Sequence, residues 1–227
     1  MKREFYDGIW RRKAGRVRGE VSGGREAIAL ELIRERLGAL LDLGCGDGAF
    51  LRAAAPGRPS AVGLDLSVEA VALATRAGLT VETHDFSSEP LPFPDGTFEL
   101  VTCLDVIEHV FDIRFMLAEV VRVLTPGGVV VIATPNIQWL PRLGAIVRGR
   151  WPRTSGDPEG FDGGHIHYFT YASLEYELRR AGLTPSERRF CRGAERPLFC
   201  EGAARFCLSG DAYAAYFSPS IVATASK

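Results

Sequence analysis

The sequence has almost no net charge: 27 Lys and Arg against 28 Asp and Glu leave −1 at pH 7. So balanced a chain has no general pull toward nucleic acid or an anionic membrane. Its five cysteines, Cys45, Cys103, Cys191, Cys200 and Cys207, are an odd, scattered set without CxxC spacing. That argues against a disulfide framework and for reduced thiols in the cytoplasm. No apolar run approaches the roughly 20 residues needed to span a bilayer. The first residues carry charge without the apolar stretch of a signal peptide. Internal repeats and low-complexity tracts are also missing. What remains is a soluble, cytoplasmic chain of 227 residues, 46% hydrophobic and 24% charged. That is enough for one α/β domain with a full core, so one domain over 1–227 is expected.

Charge is uneven in two places. The first eighteen residues are rich in Lys and Arg. Arg142, Arg148, Arg150 and Arg153 cluster where no acid occurs from Ile137 to Ser155. The plain reading is two solvated faces; the sharper one is attraction of an anionic substrate.

Strand-like and helix-like segments alternate from residue 24 to 134. Leu30, Ile33 and Leu37 share one face of a helix over Ala27–Leu37. Ala39–Leu43 is a short, continuously apolar strand of the kind covered on both faces. Helix Gly48–Ala55, strand Ser60–Leu64, a helix from Ser67 to Ala77 and strands Leu79–Thr83 and Phe98–Leu104 follow. Asp112–Leu124 is amphipathic, "TPGG" breaks it, and Val129–Ala133 is a fifth strand. This alternation predicts a doubly wound α/β fold with a mostly parallel sheet. Residues 137–166 form a long, irregular insertion with one short helix near Leu140–Val147, expected to cover a site. Thr170 caps a helix stopped by Gly182. A strand at Thr184–Cys191, a helix at Pro197–Leu208 and a strand at Ser220–Ala225 complete the reading.

The stretch "LLDLGCGDGAF" carries the first chemistry. Gly44, Gly46 and Gly48 follow the first strand at GxGxG spacing, not the GxGxxG of a dinucleotide site. Asp65 ends the second strand, 21 residues after Gly44, where a carboxylate can accept both hydroxyls of a ribose. Asp85 ends the third, followed by Phe86, where a carboxylate can accept from an exocyclic amine. Acids at successive carboxyl ends of neighbouring strands occupy the place where open α/β sheets bind ligands. The plain alternatives are a tight strand-to-helix turn for the glycines and ordinary capping for the acids. Asp65, at a strand end, is expected to matter for ligand and little for folding.

With these residues in place, the sequence resembles the class I S-adenosylmethionine-dependent methyltransferases. The matching stretches are "LLDLGCGDGAFL", "GLDLS", "HDFSSEPLPFPDGTFELVTCLDVIEHV" and "LTPGGVVVIATPN", with "GGHIHYFTYASLEYELRRAGL" further on. The resemblance implies a seven-stranded, mostly parallel Rossmann-like sheet with an antiparallel last strand, and S-adenosylmethionine as cofactor. It further implies that Gly44, Cys45 and Gly46 admit the methionine part and that Asp42 helps hold its ammonium. Asp65 would take the ribose diol and Asp85 the adenine amine. Leu66 and Phe86 would flank the adenine, and Leu104 would line the floor near the methyl group. Tyr6 and Trp10, in an N-terminal lid over 1–23, could close over the cofactor or merely plug the domain; Tyr6 is favoured for its hydroxyl.

Methyl transfer is an in-line displacement, so an acceptor must be aligned and, for a hydroxyl, deprotonated. His109 is the expected general base because its ordinary pKa lies near neutrality. His165 is the expected second catalytic residue. His165 and His167 in "GHIHYFT" should face one side if that segment is extended. The expected function is methylation of a small-molecule acceptor, anionic if the arginines serve it, at O or N, without a metal, a membrane or a nucleic acid. Asp105, Glu108, His109 and His165 also resemble the metal set of small-RNA 3′-terminal 2′-O-methyltransferases. Asp105 departs from that pattern by replacing a glutamate, which weighs against a metal and an RNA substrate. A nicotinamide oxidoreductase is disfavoured by the glycine spacing and Asp85. A non-catalytic cofactor-binding protein stays open.

Overall fold

A computed structural model describes residues 3–13, 21, 23–156, 161–191 and 215–227. Seven strands form one sheet: β1 (Leu40–Leu43), β2 (Ala61–Asp65), β3 (Thr80–Thr83), β4 (Phe98–Leu104), β5 (Leu124–Pro135), β6 (Thr184–Phe190) and β7 (Ser220–Ser226). Their order is β3-β2-β1-β4-β5-β7-β6. The first five are parallel, and β7 runs antiparallel between β5 and β6. The sheet therefore agrees with what the resemblance implied.

The helices are α1 (Arg3–Lys13), α2 (Gly24–Ile33), α3 (Ala49–Ala54), α4 (Val68–Arg76), α5 (Ile113–Val123), α6 (Leu140–Val147) and α7 (Tyr171–Arg180). They cover both faces of the sheet, which is why β1 is buried without a break. Leu41 and Leu43 belong to a core with Met116, Leu117 and Val120 of α5. Leu40 belongs to the opposite core, with Ala29 and Ile33 of α2 and Leu51 of α3. By the same alternation Asp42 faces Leu40's side, a buried acid among aliphatics at 3% exposure.

Local chemistry sets the helix ends. The Ser67 hydroxyl accepts from Ala70 N–H at the start of α4. Asp112 accepts from the N–H groups of Arg114 and Phe115 at the start of α5. Thr170 and Ser173 form a reciprocal capping box on α7. Each cap satisfies amide donors that a helix start leaves open.

Several expectations need correction. The helix drawn to Leu37 ends at Ile33, and Leu37 is 54% exposed in the following loop. The apolar period continued past the helix by coincidence. "TPGG" does not separate α5 from the fifth strand, because β5 starts at Leu124. A register shift between Phe98 and Leu100 takes up the extra residues, with Gly127 at φ 77. The N-terminal segment contains α1, which no periodicity announced. Helix Pro197–Leu208, Cys200 and Cys207 lie outside the described residues. No helix among the described residues is long and apolar enough to cross a membrane.

Candidate active site

The strand order reverses between β1 and β4, and the cleft lies at the carboxyl ends of the strands around that point. It has two lobes that share a wall of Tyr6, Trp10, Gly44, Asp105 and His109. The smaller, about 170 Å³, is lined also by Asp65, Leu66, His84, Asp85 and Phe86. The larger, about 770 Å³, is lined also by Asp42, Cys45, Gly46, Leu104, Arg25, Glu108, Thr154 and His165. The larger lobe lies within the usual range for ligand pockets, roughly 300–1,000 Å³. All ten residues expected to meet a cofactor line one lobe or the other.

Around the glycine loop and the ends of β2 and β3 the chain satisfies its own acids. Asp65 Oδ2 accepts from Gly46 N–H at 2.9 Å and Oδ1 from Ser67 N–H at 2.8 Å. Asp65 is 9% exposed. Burial raises its pKa, and these backbone donors oppose the rise. The expectation that Asp65 matters little for folding is therefore wrong, because it ties the glycine loop to the start of α4. Asp85 accepts from Ser87 N–H at 3.1 Å and from the Ser87 hydroxyl. Burial pushes its carboxyl up, but the Ser87 and Ser88 hydrogen bonds outweigh it and hold it below its ordinary value. Asp42 accepts from Thr102 Oγ1 at 2.7 Å, yet burial pushes its pKa up to about 7.

The glycine loop is bare for reasons visible in the chain itself. Gly44 and Gly46 sit at φ 72 and 56, a region that side chains rarely adopt. A Cβ on Gly44 would lie 2.2 Å from a Val106 methyl, and one on Gly46 2.7 Å from the Trp10 ring. Trp10 reaches that position because α1 docks on α4. Buried Asp7 accepts from Ser67 Oγ at 2.6 Å, and Arg11 pairs with Glu69 at 2.9 Å.

Beyond β4 the arrangement differs. Asp105 holds a left-handed backbone at φ 58 and forms an ion pair with Arg25 of α2. Glu108, on a short 3₁₀ turn, is 1% exposed. Its Oε2 accepts from Thr134 Oγ1 at 3.0 Å, while Oε1 has no hydrogen-bond partner. Burial, reinforced by Asp105, pushes its carboxyl up to about 8. His109 Nδ1 lies 3.2 Å from the Gly164 carbonyl. A carbonyl only accepts, so Nδ1 carries the hydrogen and Nε2 keeps its lone pair. Burial, with His165 adding to it, lowers the His109 pKa to about 4. The two imidazoles stand 4.6 Å apart between ring centroids. Ligand atoms of Glu108, His109 and His165 all lie within 4.8 Å of one another.

The cover returns to this turn through Ile166 and His167, whose N–H groups both donate to the Glu108 carbonyl. His165 faces the cleft, but His167 packs near Phe169 with its Nε2 buried and unpartnered. The expectation that both face one side is corrected: the backbone turns at the Glu108 carbonyl instead of alternating. The arginines also divide differently. Arg142 is buried, and its guanidinium serves the carbonyls of Asn136, Pro219, Arg153 and Thr154. Arg148, Arg150 and Arg153 are exposed and do not line the cleft. Its cationic lining, among the described residues, is Lys13 and Arg25. Sequence reasoning missed Arg25, His84, Thr134, Thr154 and Asp162. Of these only Asp162 carries a signal, since an aspartate before two glycines favours a left-handed turn.

A family model described as a methyltransferase domain matches residues 14–187. A ubiquinone biosynthesis O-methyltransferase of Methylococcus capsulatus is 37% identical over 112 residues, covering 47% of this chain and 47% of that protein. One from Bordetella avium is 29% identical over 177 residues, covering 71% of this chain and 70% of that protein. The chain spans about half to two thirds of the length of the first curated relatives it matches. Among solved structures, an S-adenosylmethionine-dependent methyltransferase from Mesorhizobium loti has a TM-score of 0.63 at 22% identity, covering 90% of this chain and 99% of that one. Another from Archaeoglobus fulgidus has a TM-score of 0.60 at 18% identity, covering 100% and 95%. These likenesses show the fold.

Proposed function

The chain belongs to the S-adenosylmethionine-dependent methyltransferase family, and from that premise we propose that it methylates a hydroxyl oxygen of a small molecule. S-adenosylmethionine is the family's cofactor. In this reading the smaller lobe would hold its adenosine, with Asp65 on the ribose and Asp85 on the adenine amine. Gly44, Cys45 and Gly46 would admit its methionine part, and Asp42 would help hold its ammonium. The acceptor enters the larger lobe beside Leu104. When bound, the cofactor would supply a methyl electrophile on its sulfonium, and His109 Nε2 would take the proton that the acceptor hydroxyl gives up as its oxygen takes the methyl.

One observation carries the reading. The His109 ring stands on the wall common to both lobes, with Nδ1–H on Gly164 and Nε2 bare. The imidazole there is neutral at neutral pH with a lone pair to offer, although its pKa of about 4 makes it a weaker base than the near-neutral value expected from the sequence. The choice of oxygen is supported by the relatives named O-methyltransferases. For an anionic acceptor, the supporting cation is Lys13 on the cleft, not the loop arginines. Incubation with labelled S-adenosylmethionine and a panel of hydroxylated small molecules tests the proposal. Methylated product with loss on His109→Ala supports it. Tight cofactor binding with no product from any acceptor would mean a non-catalytic binding protein.

A second reading has its own observation: Glu108 Oε1 is buried and unpartnered beside His109 and His165. Glu108, His109 and His165 would then hold a divalent cation, whose charge would acidify an acceptor hydroxyl. Asp105 is engaged by Arg25 and stands outside this set. Calorimetric titration with Mg²⁺, Mn²⁺ and Zn²⁺ decides it. Binding abolished by Glu108→Gln supports the cation, and no heat with any of the three sinks it.

A further inference from the structure

Beside the cleft lies a polar construction that the proposed chemistry does not use. Asp162, in the turn "FDGG", holds φ 50 and is 3% exposed. Its Oδ1 accepts from Thr154 N–H at 2.8 Å and Ser155 N–H at 3.0 Å, and its Oδ2 from Thr154 Oγ1 at 2.6 Å. Burial pushes this carboxyl up, but the Ser155 and Thr154 donors outweigh it and keep it below its ordinary value. A carboxylate only accepts, so the Thr154 hydroxyl hydrogen is committed to Asp162. The Thr154 oxygen then turns only lone pairs toward His165 Nδ1, 2.6 Å away. The hydrogen between them belongs to Nδ1.

We propose that Asp162 and Thr154 are positioning residues that lock His165 as its Nδ1–H tautomer, so that it enters the cleft as a hydrogen-bond acceptor. Its Nε2 lies 3.9 Å from Glu108 Oε1. A bare nitrogen there can take a hydrogen bond from an acceptor hydroxyl or a neutral Glu108, or coordinate a cation. The other tautomer would present N–H and could accept no hydrogen from a hydroxyl or a neutral Glu108. The same carboxylate pins the Thr154–Ser155 backbone, so it also joins two parts of the cover that are separate in sequence. The inference rests on the reading that this cleft receives the acceptor, but the tautomer itself can be observed without one.

Long-range ¹H–¹⁵N correlation spectra of the ligand-free protein at neutral pH test it. Wild-type His165 should show a protonated Nδ1 and a bare Nε2. Thr154→Val should convert the ring to a mixture or to the Nε2–H form, and Thr154→Ser should restore it. With an active acceptor, Thr154→Val and Asp162→Asn should lower kcat by about tenfold or more with cofactor KM unchanged, the usual scale for losing the partner that orients a functional histidine. Thr154→Ser should recover the rate. An Nε2–H ring in the wild type overturns the proposal outright, whether or not any variant folds. So does an unchanged ring in folded Thr154→Val. The expected spectra with no turnover of any acceptor would refute the methyl-transfer reading and leave the lock standing.

Discussion

Asp65, at the end of β2, and Glu108, just past β4, are both buried acids on one cleft, and the chain treats them differently. Both Asp65 oxygens accept backbone N–H groups at 2.8–2.9 Å. Glu108 has a partner on one oxygen and none on the other. The first acid is built into the loop it serves, so its lobe is arranged before any ligand arrives. The second is kept neutral by burial, with a binding demand left open. Burying a polar atom without a partner costs about 1–3 kcal/mol, a cost that an acceptor hydroxyl or a cation could offset. Pre-arranged donors suit a cofactor that is always the same molecule; an open demand suits the step that must discriminate.

Gly46→Val strikes the glycine loop that Asp65 holds, and has the largest effect. It places a branched side chain at φ 56 against Trp10. Cofactor affinity should fall by about a hundredfold or more, over 2.7 kcal/mol, with the helical spectrum kept; normal binding by calorimetry would refute the loop's role. On the other side, His109→Ala should lower kcat by about a hundredfold, the scale of general base catalysis. Cofactor affinity should stay within about twofold. A variant with full turnover would remove His109 as base.

Asp65→Ala should weaken both binding and folding, since hydrogen bonds to a charged group contribute about 1.5–3 kcal/mol each. A cofactor Kd raised about tenfold or more should accompany a clear drop in the denaturation midpoint of the ligand-free protein. Glu108→Gln should do the opposite to stability, because a neutral isostere removes a carboxyl that resists ionising. If the two variants shift the midpoint alike, the contrast between the lobes fails.

The smallest effect is on pH dependence. The Glu108 pKa rises from about 4.5 unfolded to about 8 folded, and that of Asp42 rises to about 7. Between the unfolded and folded values the native state holds more protons, so their stabilisation is lost as pH rises. His109, lowered to about 4, works the other way, adding stability as pH rises to its unfolded value near 6.5. Above that only the acids act. The melting temperature should therefore fall from about pH 6.5 to 8 by a few degrees, roughly 1–2 kcal/mol. Glu108→Gln should flatten most of that fall, and an unchanged slope would show that Glu108 is ionised throughout.

The two lobes also differ in how far they could be read before folding. Gly44, Gly46, Asp65 and Asp85 each lie at a strand end or within three residues of one, so local spacing carries their geometry. His165 was joined to Glu108 in the sequence through a family resemblance, but Arg25 of α2, Thr134 of β5 and Thr154 of the cover share no spacing and no motif with it. Arg142 shows the same limit. Its charge is plain in the sequence, but its service to four backbone carbonyls depends on contacts as distant as Pro219. Leu37 failed for a different reason, since a period says which face a residue would occupy and not where the helix stops.

The sheet order has a consequence for how the chain is made. Among the described residues, Thr184–Phe190 pairs only with Ser220–Ser226, which also closes onto β5. The outermost strand thus has no neighbour until residues synthesised some thirty positions later arrive and insert between existing edges. Pairing over such sequence distance is slow because loop closure precedes any gain in contacts. During that interval two strand edges, one of them the apolar β5, stand open to neighbouring chains. Pulse-labelled amide exchange during refolding should find β6 and β7 protected last, after β1 and β4. Simultaneous protection of all seven strands would show that the sheet closes in a single step.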